Sequence, residues 1–178
     1  MEALNPFHNR PAEWDLYSPL IGATMLELGN KKNGDATYKR HFESMGFQHT
    51  SVDTNGLDGS LKLDLTKPLN LGTFDVVSNI GTSEHVAKQE PCWRNILEAM
   101  HVGSVLVSTT PQPGQWAWHG EHYPDDKFYR ELAELNGLEI ERLFLNGEPP
   151  RRMWFARMKR VEDRPFQMPS TPIFYNRR

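Results

Sequence analysis

The chain has 178 residues, a formal net charge of -3 and 38% hydrophobic residues, which is enough for one domain (1–178) with a two- or three-layer core. That charge leaves no footprint for nonspecific nucleic-acid binding, and the single cysteine, Cys92, excludes an internal disulfide framework. No apolar stretch is long enough for a bilayer, and Met1 to Pro6 lack a basic region followed by an apolar run, so the expected location is the cytoplasm with no membrane partner.

Residues 1–23 carry Pro6, Phe7, Pro11, Trp14, Tyr17 and Pro19, and this aromatic content reads as an ordered arm. Met25 to Leu28 form an apolar strand that runs into a turn at Gly29. Tyr38, Phe42 and Met45 recur at helical spacing after an N-cap at Asp35, and Gly46 stops that helix. Three strands follow: Ser51 to Asp53, Leu61 to Leu65, and Phe74 to Asn79. Trp93, Ile96, Leu97 and Met100 predict a helix entered through Pro91 and closed near Gly103.

Ser104 to Thr109 is the next strand, ending at Thr110-Pro111. Phe128, Leu132 and Leu135 mark a third helix, with Asp125 as N-cap and Asn136-Gly137 as its end. Leu138 to Leu145 and Met153 to Met158 are two strands joined by Asn146-Gly147-Glu148-Pro149-Pro150. From Val161 (161–178) an extended, proline-containing tail is expected to pack Phe166, Ile173 and Phe174. The alternation predicts an α/β fold: a Rossmann-like, mostly parallel sheet with helices on both faces and a C-terminal antiparallel hairpin.

In open α/β sheets, ligands sit outside the carboxyl ends of the strands. A glycine turn at Gly29 and an acid, Asp53, ending the second strand therefore place groups for the ribose hydroxyls of a nucleoside. Their separation matches the roughly 20 residues expected of a ribose-binding acid. Asp53 also opens Asp53-Thr54-Asn55-Gly56, a good turn sequence in its own right.

This layout resembles the class I S-adenosylmethionine-dependent methyltransferases. The resemblance implies S-adenosylmethionine as cofactor, held by Glu27, Gly29, Asn30, Asp53, Thr54, Asp64, Leu65 and Asn79. Within that set, Asp64 would accept from the adenine amino group and Leu65 would supply an amide; a turn-capping role is the alternative for Asp64. Lys31 and Asn33 depart from the pattern, because they stand where glycines would let the backbone approach the cofactor.

Glu84-His85-Val86 after the fourth strand resembles the same segment of small-molecule and sugar O-methyltransferases. In that group a Glu-x-x-Glu-His arrangement and a later histidine hold a divalent metal. Here Gly81 takes the first glutamate's place, so no metal is expected; the residues left to hold one are Glu84, His85, His119 and His122. The resemblance implies methyl transfer to a small, oxygen-bearing acceptor, with His85, His119 or His122 as catalytic base.

The Asp/Asn-Pro-Pro-aromatic tetrapeptide of adenine-directed enzymes is absent, since Ser78-Asn79-Ile80-Gly81 stands in its place, and no nucleic-acid partner is expected. The alternative is a relative that binds a nucleoside without methyl transfer or consumes the cofactor otherwise. A nicotinamide enzyme is disfavoured because Gly-x-Gly-x-x-Gly is missing. Trp116, Trp118 and Tyr123 read as either a lid or core.

Overall fold

The computed structural model describes residues 16–17, 20, 22–30, 32–33 and 36–175. Most of the expected N-terminal arm, Lys31, Gly34 and Asp35 lie outside the described residues. A seven-stranded sheet forms the frame, built from β1 (Thr24–Leu28), β4 (Gln48–Asp53), β5 (Leu61–Lys62), β6 (Phe74–Ile80), β7 (Met100–Pro111), β9 (Leu138–Asn146) and β10 (Met153–Arg160). Short strands β2 (Lys32–Asn33), β3 (Ala36–Thr37), β8 (His122–Tyr123) and β11 (Phe174–Tyr175) pair outside it, β2 with β3 and β8 with β11.

The order is β5-β4-β1-β6-β7-β10-β9. Strands β5, β4, β1, β6 and β7 run parallel, and β10 runs antiparallel to both β7 and β9. This is the expected Rossmann-like sheet with its C-terminal antiparallel hairpin. Strand order reverses at β1, whose neighbours are β4 and β6, so the crevice between β1 and β6 is the topological switch point.

Both sheet faces are covered, so the central strands are apolar on both sides. Leu26, Val77, Leu106 and Ala156 face helices α2 (Gln89–Glu98) and α3 (Asp126–Asn136), where Trp93, Ile96, Phe128 and Leu132 meet them. Met25, Val76, Val107 and Phe155 face the other layer, made by Leu16, Tyr17 and helix α1 (Tyr38–Ser44) with its Phe42. No helix among the described residues is long and apolar enough to cross a membrane.

Element limits and packing differ from expectation at several points. Helix α1 begins after Thr37, which makes no side-chain cap bond. Met100 opens β7 instead of closing α2, because it pairs with Phe74 in the β6–β7 ladder. Strand β5 stops at Lys62, since the Asp64 carboxylate accepts the Thr66 amide (2.8 Å) and turns the chain. Phe174 is exposed and pairs with Tyr123 in the β8–β11 ladder, whereas Phe166 and Ile173 pack on the core as expected. Asp125 does cap α3, accepting the Phe128 amide at 3.0 Å, and Gly137 (φ 65) ends it.

Candidate functional site

A cleft of about 370 Å³ opens at the carboxyl ends of β1, β4, β5 and β6. Its walls come from Gly29, Val52-Asp53-Thr54, Leu63 to Thr66, Thr82 and His85 to Ala87. Five of the expected cofactor residues therefore meet here: Gly29, Asp53, Thr54, Asp64 and Leu65. Leu63, Thr66, Thr82, Val86 and Ala87 were not foreseen; the signal for them is their place directly after strands β5 and β6.

Asp53 is braced from two sides. One carboxylate oxygen accepts the Asn30 amide and the other the Asn55 amide, each at 2.9 Å. The Thr54 hydroxyl lies a further 3.5 Å from the second oxygen, and with about four lone-pair sites a carboxylate keeps room for another donor. Asn30 itself does not line the cleft; its side-chain nitrogen donates to the Leu57 carbonyl (2.6 Å), and it acts on the cleft through its amide on Asp53. Asp64 combines its two expected readings, lining the cleft while its carboxylate caps the turn at Thr66, which holds its pKa below the ordinary value.

Glu27 and Asn79, also expected at the cofactor, do not line the cleft. Alternation along β1 places Glu27 with Met25 on the α1 side, where its carboxylate meets the His49 imidazole at 2.8 Å. Both side chains are shut off from water (2% and 0% exposed). Burial raises the Glu27 pKa well above its usual range and lowers that of His49 to about 4. Asn79 is fully buried; its amide nitrogen donates to the Ser83 and Ser108 hydroxyls and its oxygen accepts the Ser83 amide. Its task is to fix the turn that carries Glu84 and His85.

That turn (Ser83–His85) and the loop after β7 converge. His85 and His119 stack edge to face with ring centroids 4.8 Å apart. Glu84 lies beneath them, fully buried, with His119 Nε2 at 3.7 Å and His85 Nε2 at 4.0 Å. Neither Glu84 oxygen has a hydrogen-bond partner among the described residues. His122 stands apart from this cluster on β8, where burial holds its pKa below the usual value. Of the aromatic loop, Tyr123 is core and donates to the Trp116 carbonyl (2.8 Å), Trp116 donates from its indole to the Arg152 carbonyl (3.0 Å), and Trp118 is 74% exposed.

A larger cavity of about 680 Å³ lies at the other end of the sheet, beside Met100 to Val102. Its arginines are engaged: Arg94 with Glu90 and Glu98, Arg160 with Asp163 and the carbonyls of Leu97 and Met100, and Arg164 with Glu162. The strand-end cleft is the better candidate on position and chemistry.

No family model and no curated protein matches the chain. Among solved structures it is similar to the 1,6-didemethyltoxoflavin-N1-methyltransferase of Burkholderia thailandensis, solved with 1,6-didemethyltoxoflavin and S-adenosylhomocysteine (TM-score 0.66, 13% identity, 86% of this chain and 78% of that one). The N-methyltransferase NodS of Bradyrhizobium japonicum is similar over 89% of this chain and 98% of its own (TM-score 0.66, 13% identity). Magnesium protoporphyrin IX methyltransferase of Synechocystis, solved with S-adenosylmethionine, gives a TM-score of 0.62 at 12% identity over 84% of this chain and 76% of that one. The chain has the fold of the class I S-adenosylmethionine-dependent methyltransferases.

Proposed function

We propose that this chain, a single domain, is an S-adenosylmethionine-dependent methyltransferase acting on a small, oxygen-bearing molecule. The observation that carries the reading is the meeting of Gly29, Asp53 and Asp64-Leu65 around one cleft at the switch point. The donor set fits the cofactor: two carboxylates for hydroxyl and amino groups, beside apolar Val52, Leu63 and Val86 for a flat base. When bound, the cofactor supplies a methyl group made electrophilic by its positive sulfur. Asp53 would accept from the ribose hydroxyls, the Asp64-Leu65 turn would hold the base, and the wall of Thr82 and His85 to Ala87 would orient the rest.

An alcohol acceptor would need a group on this chain to take up its proton. His85 at the cleft wall, or His119 beside it, is the group that receives that proton, directly or by holding what does. Calorimetric titration with S-adenosylmethionine and S-adenosylhomocysteine tests the core of this reading. One-to-one binding of both is expected, and binding of neither removes it. In folded Asp53→Ala, affinity should fall by about 1.5–3 kcal/mol per charge-assisted hydrogen bond lost. Unchanged affinity would show that Asp53 does not hold the ribose.

A further inference from the structure

We infer that Trp118 is the platform on which the acceptor stacks, and that the acceptor is a flat aromatic ring carrying its reacting hydroxyl, a narrowing that rests on the methyltransferase reading. The loop after β7 is held in an unusual conformation. Trp116 and Trp118 both have left-handed backbones, with φ 52 and φ 66. Bulky side chains are genuine outliers in that region, and backbone strain gathers at binding and active sites.

The fold accounts for Trp116. Its amide donates to the Pro150 carbonyl (2.9 Å), its indole nitrogen donates to the Arg152 carbonyl (3.0 Å), and its own carbonyl accepts the Tyr123 hydroxyl (2.8 Å). Its ring packs on the apolar layer beside α1. The fold does not account for Trp118. This residue takes the third place of a turn closed by the His119 amide on the Trp116 carbonyl (3.1 Å), where a positive φ calls for glycine. Its side chain is 74% exposed and meets no ring or hydrogen-bond partner among the described residues. Glycine would make the same turn without strain and without holding an indole in water.

The loop is unfinished in a second respect. The side-chain oxygens of Gln112 and Gln115 are closed off from water and have no hydrogen-bond partner among the described residues. Buried polar atoms are ordinarily satisfied, so these two amides are open to donors on a ligand.

Position ties the loop to the cleft. His85 lines the cleft, the His119 ring lies 4.8 Å from that of His85, and the Trp116 ring 5.2 Å from that of His119. A row of flat rings thus leads from the cleft wall to the turn that carries Trp118, and such rings favour flat partners at centroid separations of about 4.5–7 Å. Proton chemistry favours the same acceptor. An imidazole ordinarily titrates near about 6.5, closer to a phenol at about 10 than to a hydroxyl with the acidity of water, at about 15.7. A base of that strength takes the proton of a ring-borne hydroxyl far more readily than that of an aliphatic one.

The test uses the full chain, alone and saturated with S-adenosylhomocysteine, with 2-naphthol as the flat probe and 2-decalol as its saturated counterpart. By calorimetry 2-naphthol should bind at one equivalent, and 2-decalol about tenfold more weakly or worse. Trp118→Gly and Trp118→Leu should each weaken 2-naphthol binding about tenfold or more, whereas Trp118→Phe, which keeps a flat ring, should retain most of it. Denaturation separates this role from a structural one: Trp118→Gly should keep or raise the midpoint, since glycine takes the turn without strain. Affinity for S-adenosylhomocysteine should stay at the wild-type value in all three variants. Equal binding of the two probes, no saturable binding of 2-naphthol, wild-type binding by Trp118→Gly, or a lowered midpoint in that variant each overturns the platform. Absence of S-adenosylhomocysteine binding removes the methyltransferase reading and the acceptor with it, while intact cofactor binding without the 2-naphthol response removes this inference alone.

Discussion

Gly29 turns the chain at φ 81, and a Cβ there would collide with the Thr82 hydroxyl. That hydroxyl donates to the Leu28 carbonyl at 2.6 Å, so Thr82 cannot move away without leaving the end of β1 unsatisfied. Gly29→Ala should therefore destabilise the fold by about 1–3 kcal/mol through backbone strain alone, measurable by urea denaturation. It should also weaken S-adenosylmethionine binding, because the Asn30 amide that braces Asp53 is the next residue. An alanine variant equal to wild type in both would show that the turn tolerates a side chain. At this scale the sequence was informative where backbone chemistry decides: a glycine turn and a strand-end acid are legible from residue type. It could not show that the Glu27 carboxylate meets His49, a residue 22 positions away that the β1–β4 register brings alongside.

Helix α3 shows how much one element depends on its ends. Asp125 accepts the Phe128 amide, and Asp125→Ala should cost about 1 kcal/mol, read as a lowered denaturation midpoint. Glu131 on the same helix accepts from the hydroxyls and amides of both Thr171 and Ser170, binding the C-terminal tail to α3. Those hydrogen bonds, with the Thr171 hydroxyl foremost, hold its pKa at about 2 against an ordinary 4.5. A depressed carboxylate contributes fully above its unfolded pKa and loses that contribution as pH falls through the folded one. Tail docking should thus persist at neutral pH and weaken between about pH 4.5 and 2, with faster amide exchange at Ser170 and Thr171. Glu131→Gln should show faster exchange already at neutral pH, and exchange independent of both changes would refute the strap. The tail's apolar residues were legible in the sequence, but its anchor on Glu131 was not, since 39 and 40 residues separate the partners.

Across the whole molecule, the sheet stands between two apolar layers, and Trp93 is the largest fully buried side chain of the α2–α3 layer, 5.0 Å from the Phe128 ring. Trp93→Ala should cost about 3–5 kcal/mol, seen as a lowered denaturation midpoint with an unchanged slope if only stability is affected. A loss under 1 kcal/mol would mean that this layer repacks freely. Element order, the apolar runs of the strands, the capped helix α3 and the late hairpin were all written in local sequence, because they follow from periodicity and turn chemistry. Those same local signals supported a nucleoside-binding layout, through Gly29 and Asp53. What the chain could not announce is which distant side chains meet. The sequence argued against a metal from the absence of one glutamate at Gly81. Glu84, His85, His119 and His122 stood together as candidates in the sequence, and tertiary structure decided which of them meet: His119, from the loop after β7, comes within 3.7 Å of buried Glu84 on the turn after β6 beside His85, and His122 stands apart. Periodicity determines which face of an element is apolar; the packing of β6 against β7 determined which polar groups stand side by side.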